Sequence, residues 1–255
     1  MPFEIVTIPC LEHNYAFLLH DGESDTTVVI DVPEAALVSD ALKSQGWTLT
    51  HVMLTHHHGD HTGGVAELLS EYPATVIGGA ADEHRLPLLD QAVSDGDVIT
   101  LGAESVEVLD VSGHTRGHIA YYFPKTGAVA TADSLMALGC GRVYGDGPEQ
   151  MYASLQKLAA LPPETLVLSG HEFTEKNAAF ALTIDSTNDT LIARAAEVKE
   201  LRSKGQPTIP TTLSDELATN PFLRCDNAQI RQTLGMEDAT SVEVFAEIRE
   251  RKDKF

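Results

Sequence analysis

The sequence predicts an α/β domain followed by a helical region, and three observations carry that expectation. Short β-favouring runs mix with helical stretches through the first two thirds of the chain, and beyond about His171 only helical patterns follow. The length, 255 residues, suits one large domain or two unequal ones. Residues 5–8, 16–19 and 27–30 read as strands, with Asp21-Gly22 as the turn between the last two. Pro33-Glu34 opens a helix that runs to Gln45 and is closed by Gly46. A strand at 51–54, a helix at 65–72 and a strand at 75–77 come next. Residues 106–111, 119–123 and 128–131 are further strands. A helix at 155–161 stops at Pro162-Pro163, and 166–168 reads as the last strand. Leu191, Ala195, Val198 and Leu201 then recur at helical spacing, with Arg194, Lys199 and Glu200 on the other face. No internal repeat or long linker interrupts the chain, and the boundary is expected between residues 1–172 and 173–255.

Charge narrows the class of function. Seventeen basic against thirty-eight acidic residues give −21. Such a surface repels nucleic-acid phosphate and anionic lipid, both of which need clustered Lys and Arg. The chain is long enough to bury a full core without disulfides or an oligomer, so a monomer is expected. Cys10, Cys140 and Cys225 are far apart and form no C-x-x-C pair, which fits reduced thiols in the cytoplasm. The first residues carry no basic n-region, and no run reaches the roughly 18 apolar residues of a membrane span.

The chemistry is concentrated in residues 55–64, Thr-His-His-His-Gly-Asp-His-Thr-Gly-Gly. In an extended segment alternate residues face the same side, so His56 and His58 can converge on one ion while His57 points away. Asp60 and His61 follow where the chain turns, and a second ion can take them. Imidazole and carboxylate suit Zn, Fe or Mn. A solvated histidine tract is the ordinary alternative, but three further strand ends weigh against it. They carry His114 in a glycine turn, Asp133, and His171 in Ser-Gly-His-Glu. Four such sites describe one rim of a sheet bearing a metal centre.

His-x-His-x-Asp-His, then Gly-His-Thr-x-Gly-His, a strand-end Asp and Gly-His-Glu, in this order, resemble the metallo-β-lactamase superfamily. More specific segments are Asn14-Tyr15, Gly-Cys-Gly-Arg-Val-Tyr at 139–144, Leu-Pro-Pro-Glu-Thr at 161–165, Asn-Pro-Phe-Leu-Arg at 220–224 and the basic end 249–255. Through these the chain resembles the glyoxalase II (hydroxyacylglutathione hydrolase) family almost end to end. The resemblance implies an αββα sandwich with a helical C-terminal domain, the first holding the catalytic site and the second binding substrate. It assigns His56, His58 and His114 to one divalent metal and Asp60, His61 and His171 to another, with Asp133 bridging. Zinc is favoured, and iron or manganese is compatible. Asp31 matches a position that orients metal ligands in the family; its plain reading is a turn residue before Pro33. His118 reads as a structural residue near the site rather than a ligand.

The implied reaction is hydrolysis of S-(2-hydroxyacyl)glutathione, chiefly S-D-lactoylglutathione, by hydroxide held between the metals, with Asp60 and Asp133 as the carboxylates of the reaction centre. A thioester suits this because its leaving thiol, with a pKa of about 8.5, departs without a proton donor. Of the seventeen basic residues, four lie in the last seven positions. By themselves they read as cations at a helix C-terminus. The resemblance instead implies that Arg249 and Lys252 bind the glutathione carboxylate together with Arg142 and Tyr144. Phe173 stands where the family usually has a tyrosine that donates to glutathione, a loss of about 1 kcal/mol. Gly59 replaces a common Trp, Ala132 a Gly and His13 an acidic residue. Two other readings compete: a glutathione persulfide dioxygenase with a single iron, and a non-catalytic metal- or glutathione-binding protein. The Asp60, His61 and His171 set, with the long C-terminal region, argues against the first, and the intact set of ligand types argues against the second.

Overall fold

A computed structural model describes residues 2–255. Fourteen strands are described: β1 Glu4–Cys10, β2 Asn14–Asp21, β3 Thr26–Ile30, β4 His51–Leu54, β5 Thr75–Gly79, β6 Gln91–Val93, β7 Val98–Leu101, β8 Glu104–Asp110, β9 Ile119–Phe123, β10 Ala128–Ala132, β11 Leu135–Met136, β12 Gly139–Cys140, β13 Leu166–Ser169 and β14 Thr211–Thr212. The α-helices are α1 Ala35–Gln45, α2 Gly59–Thr62, α3 Val65–Glu71, α4 Pro148–Ala159, α5 Thr174–Ile184, α6 Asp189–Ser203, α7 Leu213–Thr219, α8 Ala228–Leu234 and α9 Ser241–Lys254.

Two six-stranded sheets form, in the orders β1-β2-β3-β4-β5-β6 and β14-β13-β10-β9-β8-β7. Alternation along the strands sorts their side chains into layers. Phe17 and Leu19 of β2 join Val28, Met53 and Ile77 and meet Val106, Val108, Tyr121 and Phe123 of the other sheet in the central core. Their neighbours Ala16 and Leu18 face outward, with Val29 and Val52, onto Val38 and Leu42 of α1 and Val65 and Leu68 of α3. On the opposite outer face Ala120, Tyr122, Val129 and Val167 pack against Met151, Leu155 and Leu158 of α4. The result is four layers in the order αββα.

The helical C-terminal segment shares that last core: Phe180, Phe222, Ile230, Phe245 and Ile248 belong to the same buried cluster as Val129 and Val167. Local signals account for several boundaries. Gly46 caps α1 in the left-handed region at φ 71°, and a Thr240–Glu243 capping box starts α9. The helix expected at 155–161 begins at Pro148, a proline in the first turn, and ends at Ala159. β14 lies beyond β13, the strand expected to be last, and pairs antiparallel with it. Arg194, expected on the solvent face of α6, instead turns inward and pairs with the fully buried Glu216 of α7. An uncompensated carboxylate there would be costly, so the pairing overrides the amphipathic pattern.

Candidate metal centre and substrate pocket

Every expected ligand lies just past the end of a strand: His56 to His61 after β4, His114 after β8, Asp133 after β10 and His171 after β13. The strands come from both sheets, so their ends meet along one edge of the sandwich. There the side chains gather into two sets, His56, His58, His114 and Asp133, and Asp60, His61 and His171, with Asp31, His56 and His61 grouped between them. Within each set the donor atoms lie within 4.8 Å of one another.

In the first set, His58 Nδ1 stands 3.1 Å from both His56 Nε2 and His114 Nε2. The far nitrogens are committed, since His114 Nδ1 donates to Arg142 O at 2.8 Å and His56 Nδ1 to Thr55 Oγ1 at 3.0 Å. The Nε2 lone pairs of His56 and His114 therefore face inward, toward His58 Nδ1. Burial lowers the pKa of all three rings, and neighbouring imidazoles lower it further, keeping them neutral. Three converging lone pairs repel one another unless a cation stands between them.

The second set repeats the pattern, with His61 Nε2 and His171 Nε2 3.3 Å apart. Asp133 faces both sets: Oδ1 lies 3.3 Å from His61 Nε2 and 3.2 Å from His171 Nε2, while Oδ2 lies 3.4 Å from His114 Nε2. Among the described residues Asp133 Oδ1 is buried without a hydrogen-bond partner. Burial alone would raise the Asp133 pKa, but His61 and His171 outweigh it and hold the carboxyl well below its usual range. Reciprocally, burial opposes a proton on His61, yet Asp133 and then Asp31 raise its pKa well above the usual value. This donor chemistry would fit divalent cations at both sets, with Asp133 facing each of them.

Surrounding groups fix the donors. Asp31 accepts from His61 Nδ1 at 2.8 Å, from Thr55 N at 2.9 Å and from Thr55 Oγ1 at 2.8 Å. Because Thr55 also receives the His56 proton, one buried carboxylate orients a ring in each set. Asn14 Nδ2 donates to Asp60 Oδ2 at 3.1 Å. His118 donates Nδ1–H to Ile119 O at 3.1 Å, and its Nε2 accepts the Asp133 N–H at 3.3 Å. Its ring stacks on His56 at 4.5 Å, and burial, then His114, depresses its pKa to about 3. It stays neutral and holds Asp133 in place. Ala132 enters the left-handed region at φ 41° to aim Asp133 out of β10, a strain of roughly 1–2 kcal/mol for an L-residue. Asn14, known from the sequence only as part of a matching segment, and Thr55 carry no local signal of these contacts.

Beside the first set a cavity of about 280 Å³ is lined by Arg142, Phe173, Lys176, Asn177, Arg249 and Lys252, among others. Phe173 stacks on His171 with ring centres 4.8 Å apart. Tyr144 is 63% exposed, 5.6 Å from the His114 ring, and accepts from Arg142 Nη1 at 3.4 Å. Arg249 is buried and already engaged. It donates Nη1–H to Cys140 O at 3.0 Å and pairs with Asp253 at 2.9 Å, while its buried Nε has no hydrogen-bond partner among the described residues. Lys252 Nζ stands over the Phe180 and Phe255 rings at 5.1 and 5.4 Å. Lys176 adds a cation that no motif singles out.

The fold and the paired donor sets are those of a metallo-β-lactamase-type protein. The superfamily profile matches residues 12–171, and a profile described as the hydroxyacylglutathione hydrolase C-terminus matches 172–255. A hydroxyacylglutathione hydrolase of Ruegeria pomeroyi is 57% identical over the full length of both chains. Among solved structures, the B3 metallo-β-lactamase BLEG-1 has a TM-score of 0.67 at 21% identity, covering 86% of this chain and 99% of its own. A di-iron-bound form of TTHA1623 has a TM-score of 0.63 at 27% identity, covering 86% of this chain and all of its own. The chain belongs to the hydroxyacylglutathione hydrolase family of the metallo-β-lactamase superfamily.

Proposed function

We propose that this chain hydrolyses S-(2-hydroxyacyl)glutathione thioesters, chiefly S-D-lactoylglutathione, to glutathione and the 2-hydroxy acid, acting as a cytoplasmic monomer. The observation that carries this reading is a pair of donor sets sharing Asp133 and opening onto a pocket lined with cations. In this reading residues 1–172 form the catalytic domain and 173–255 supply much of the substrate pocket. His56, His58 and His114 would hold one divalent ion, Asp60, His61 and His171 the other, and Asp133 both. Zinc suits these nitrogen and oxygen donors best, and iron or manganese is accommodated. Such a pair, when bound, supplies hydroxide near neutral pH and neutralises charge developing on a carbonyl oxygen.

The chain's own residues do the rest. Asp31 with Thr55, Asn14 and His118 fix the ligand side chains, which limits reorganisation during the reaction. Lys252, Lys176 and Arg142 attract the glutathione carboxylates against the general acidity of the surface. Arg249 adds its charge to the pocket wall and braces it through Cys140 O and Asp253. Phe173 presents an apolar face beside His171 in place of a hydroxyl. The second donor set, gathered as closely as the first, favours hydrolysis over oxidation at a single iron.

The test is thioester loss measured with protein loaded with zinc, iron or manganese. Turnover of S-D-lactoylglutathione that disappears on chelation and returns with metal supports the reading. Oxygen uptake with glutathione persulfide and no thioester loss would sink it, as would glutathione binding without hydrolysis at every metal loading.

A pH dependence follows from Lys252. Burial, then Arg249 and Lys176, lowers its pKa to about 8. The groups against it are Arg249 and Asp253 on α9, Lys176 on α5 and Cys140 on β12. A depressed lysine pKa means that the charge is present below about pH 8 and lost above it. KM for the thioester is expected to rise about threefold to tenfold from pH 7 to pH 9, the order of one weakened charge-assisted contact. Lys252→Arg should flatten that rise. An equal rise in both proteins would remove Lys252 from substrate binding.

A further inference from the structure

A third polar arrangement stands behind the three-histidine set. His57, between His56 and His58, turns its ring the other way and donates Nδ1–H to Asp82 Oδ2 at 2.8 Å. Asp82 ends the short 3-10 turn Ala80–Asp82 after β5 and is fully buried. Its other oxygen takes the Arg85 guanidinium. The same carboxylate also presses on the loop that carries His114, since a Cβ at Gly117 would stand 2.3 Å from Asp82 Oδ1. The loop closes there only because residue 117 has no side chain. Below this contact Ile119 N donates to Thr55 O at 3.0 Å, tying the bases of the two ligand loops together. A pair with the partly exposed Arg85 alone gives little return for burying a carboxylate. What Asp82 does touch are the two segments that carry His56, His58 and His114.

From this juxtaposition we infer that Asp82, holding His57 on one side and seated against Gly117 on the other, is a positioning residue for the three-histidine site. It keeps the His57 ring out of that site, fixes the alternation that lets His56 and His58 face inward, and sets the separation of their loop from His114. Its hydrogen bonds and ion pairs among the described residues go to His57 and Arg85, so its effect falls on one of the two cations. The inference rests on the two-cation reading above.

The experiment is chelator competition on zinc-loaded protein, with bound ions counted by native mass spectrometry. Asp82→Asn is expected to release one ion at about tenfold lower chelator concentration, the low end for an outer hydrogen-bond partner, while the other ion leaves as in wild type. His57→Ala, which deletes a partly exposed ring, should reproduce the selective loss and decides the matter if Asp82→Asn does not fold. His57→Asn, whose amide can donate to Asp82, should restore part of the affinity. Unchanged release of both ions overturns the clamp, and so does equal weakening of both. A wild-type protein that held fewer than two ions would overturn the two-cation reading and the clamp together, whereas two ions in wild type with unchanged variants removes the clamp alone.

Discussion

Asp133→Asn is expected to lower thioester turnover by at least about 10³-fold and to reduce bound metal from two ions to one or none. The substitution keeps the shape of the side chain, so loss of packing does not explain the effect. What disappears is the negative charge whose Oδ1 faces His61 and His171 and whose Oδ2 faces His114. A neutral amide offers one oxygen and an N–H₂ that cannot ligate a cation. In the proposed two-cation reading several kcal/mol of charge stabilisation in the transition state would go with the second cation, and each 1.36 kcal/mol is tenfold in rate. Metal analysis beside initial rates checks this. Two retained ions with turnover within tenfold of wild type would show that Asp133 does not join the two sets.

Gly170→Ala is expected to cost on the order of 10²-fold in turnover without removing any polar group, because a displacement of an ångström at reacting atoms has that effect. A Cβ at this position would stand 2.7 Å from both Asp133 Oδ1 and His61 Cε1. The backbone cannot retreat, because Gly170 N donates to Ala132 O at 3.0 Å and Gly170 O accepts from Tyr15 N at 2.8 Å. The methyl group must therefore displace the carboxylate or the imidazole. Gly59 is the control, since it lies in the same rim with nothing within 4 Å of a Cβ. Gly59→Ala should stay within about twofold of wild type, a surface change clear of the ligands. Equal activities of the two variants would mean that the packing around Asp133 is not tight.

Gly59 also illustrates how much a residue's type and immediate neighbours disclose. Glycine carries no donor side chain, and a Cβ at Gly59 would meet nothing within 4 Å. The left-handed cap at Gly46 and the turning of His57 away from His56 and His58 follow from the same kind of local rule. Where the rule is local, the reading transfers.

Sequence by itself determined the succession of strands and helices, the αββα class through its family motifs, and the presence of nitrogen and oxygen donors at successive strand ends. The succession of elements and the donors follow from periodicity and residue type, which the chain states directly, whereas the αββα class came through the resemblance. Tertiary structure alone decided that Thr55 joins Asp31 in orienting a ring in each set, that Asn14 holds Asp60, and that Lys176 joins the pocket. It likewise decided that Arg194 and Arg249 turn inward to partners at Glu216 and Cys140. Those contacts join segments that are distant along the chain. Periodicity says which face a residue takes, but which group waits opposite depends on how the sheets and helices pack.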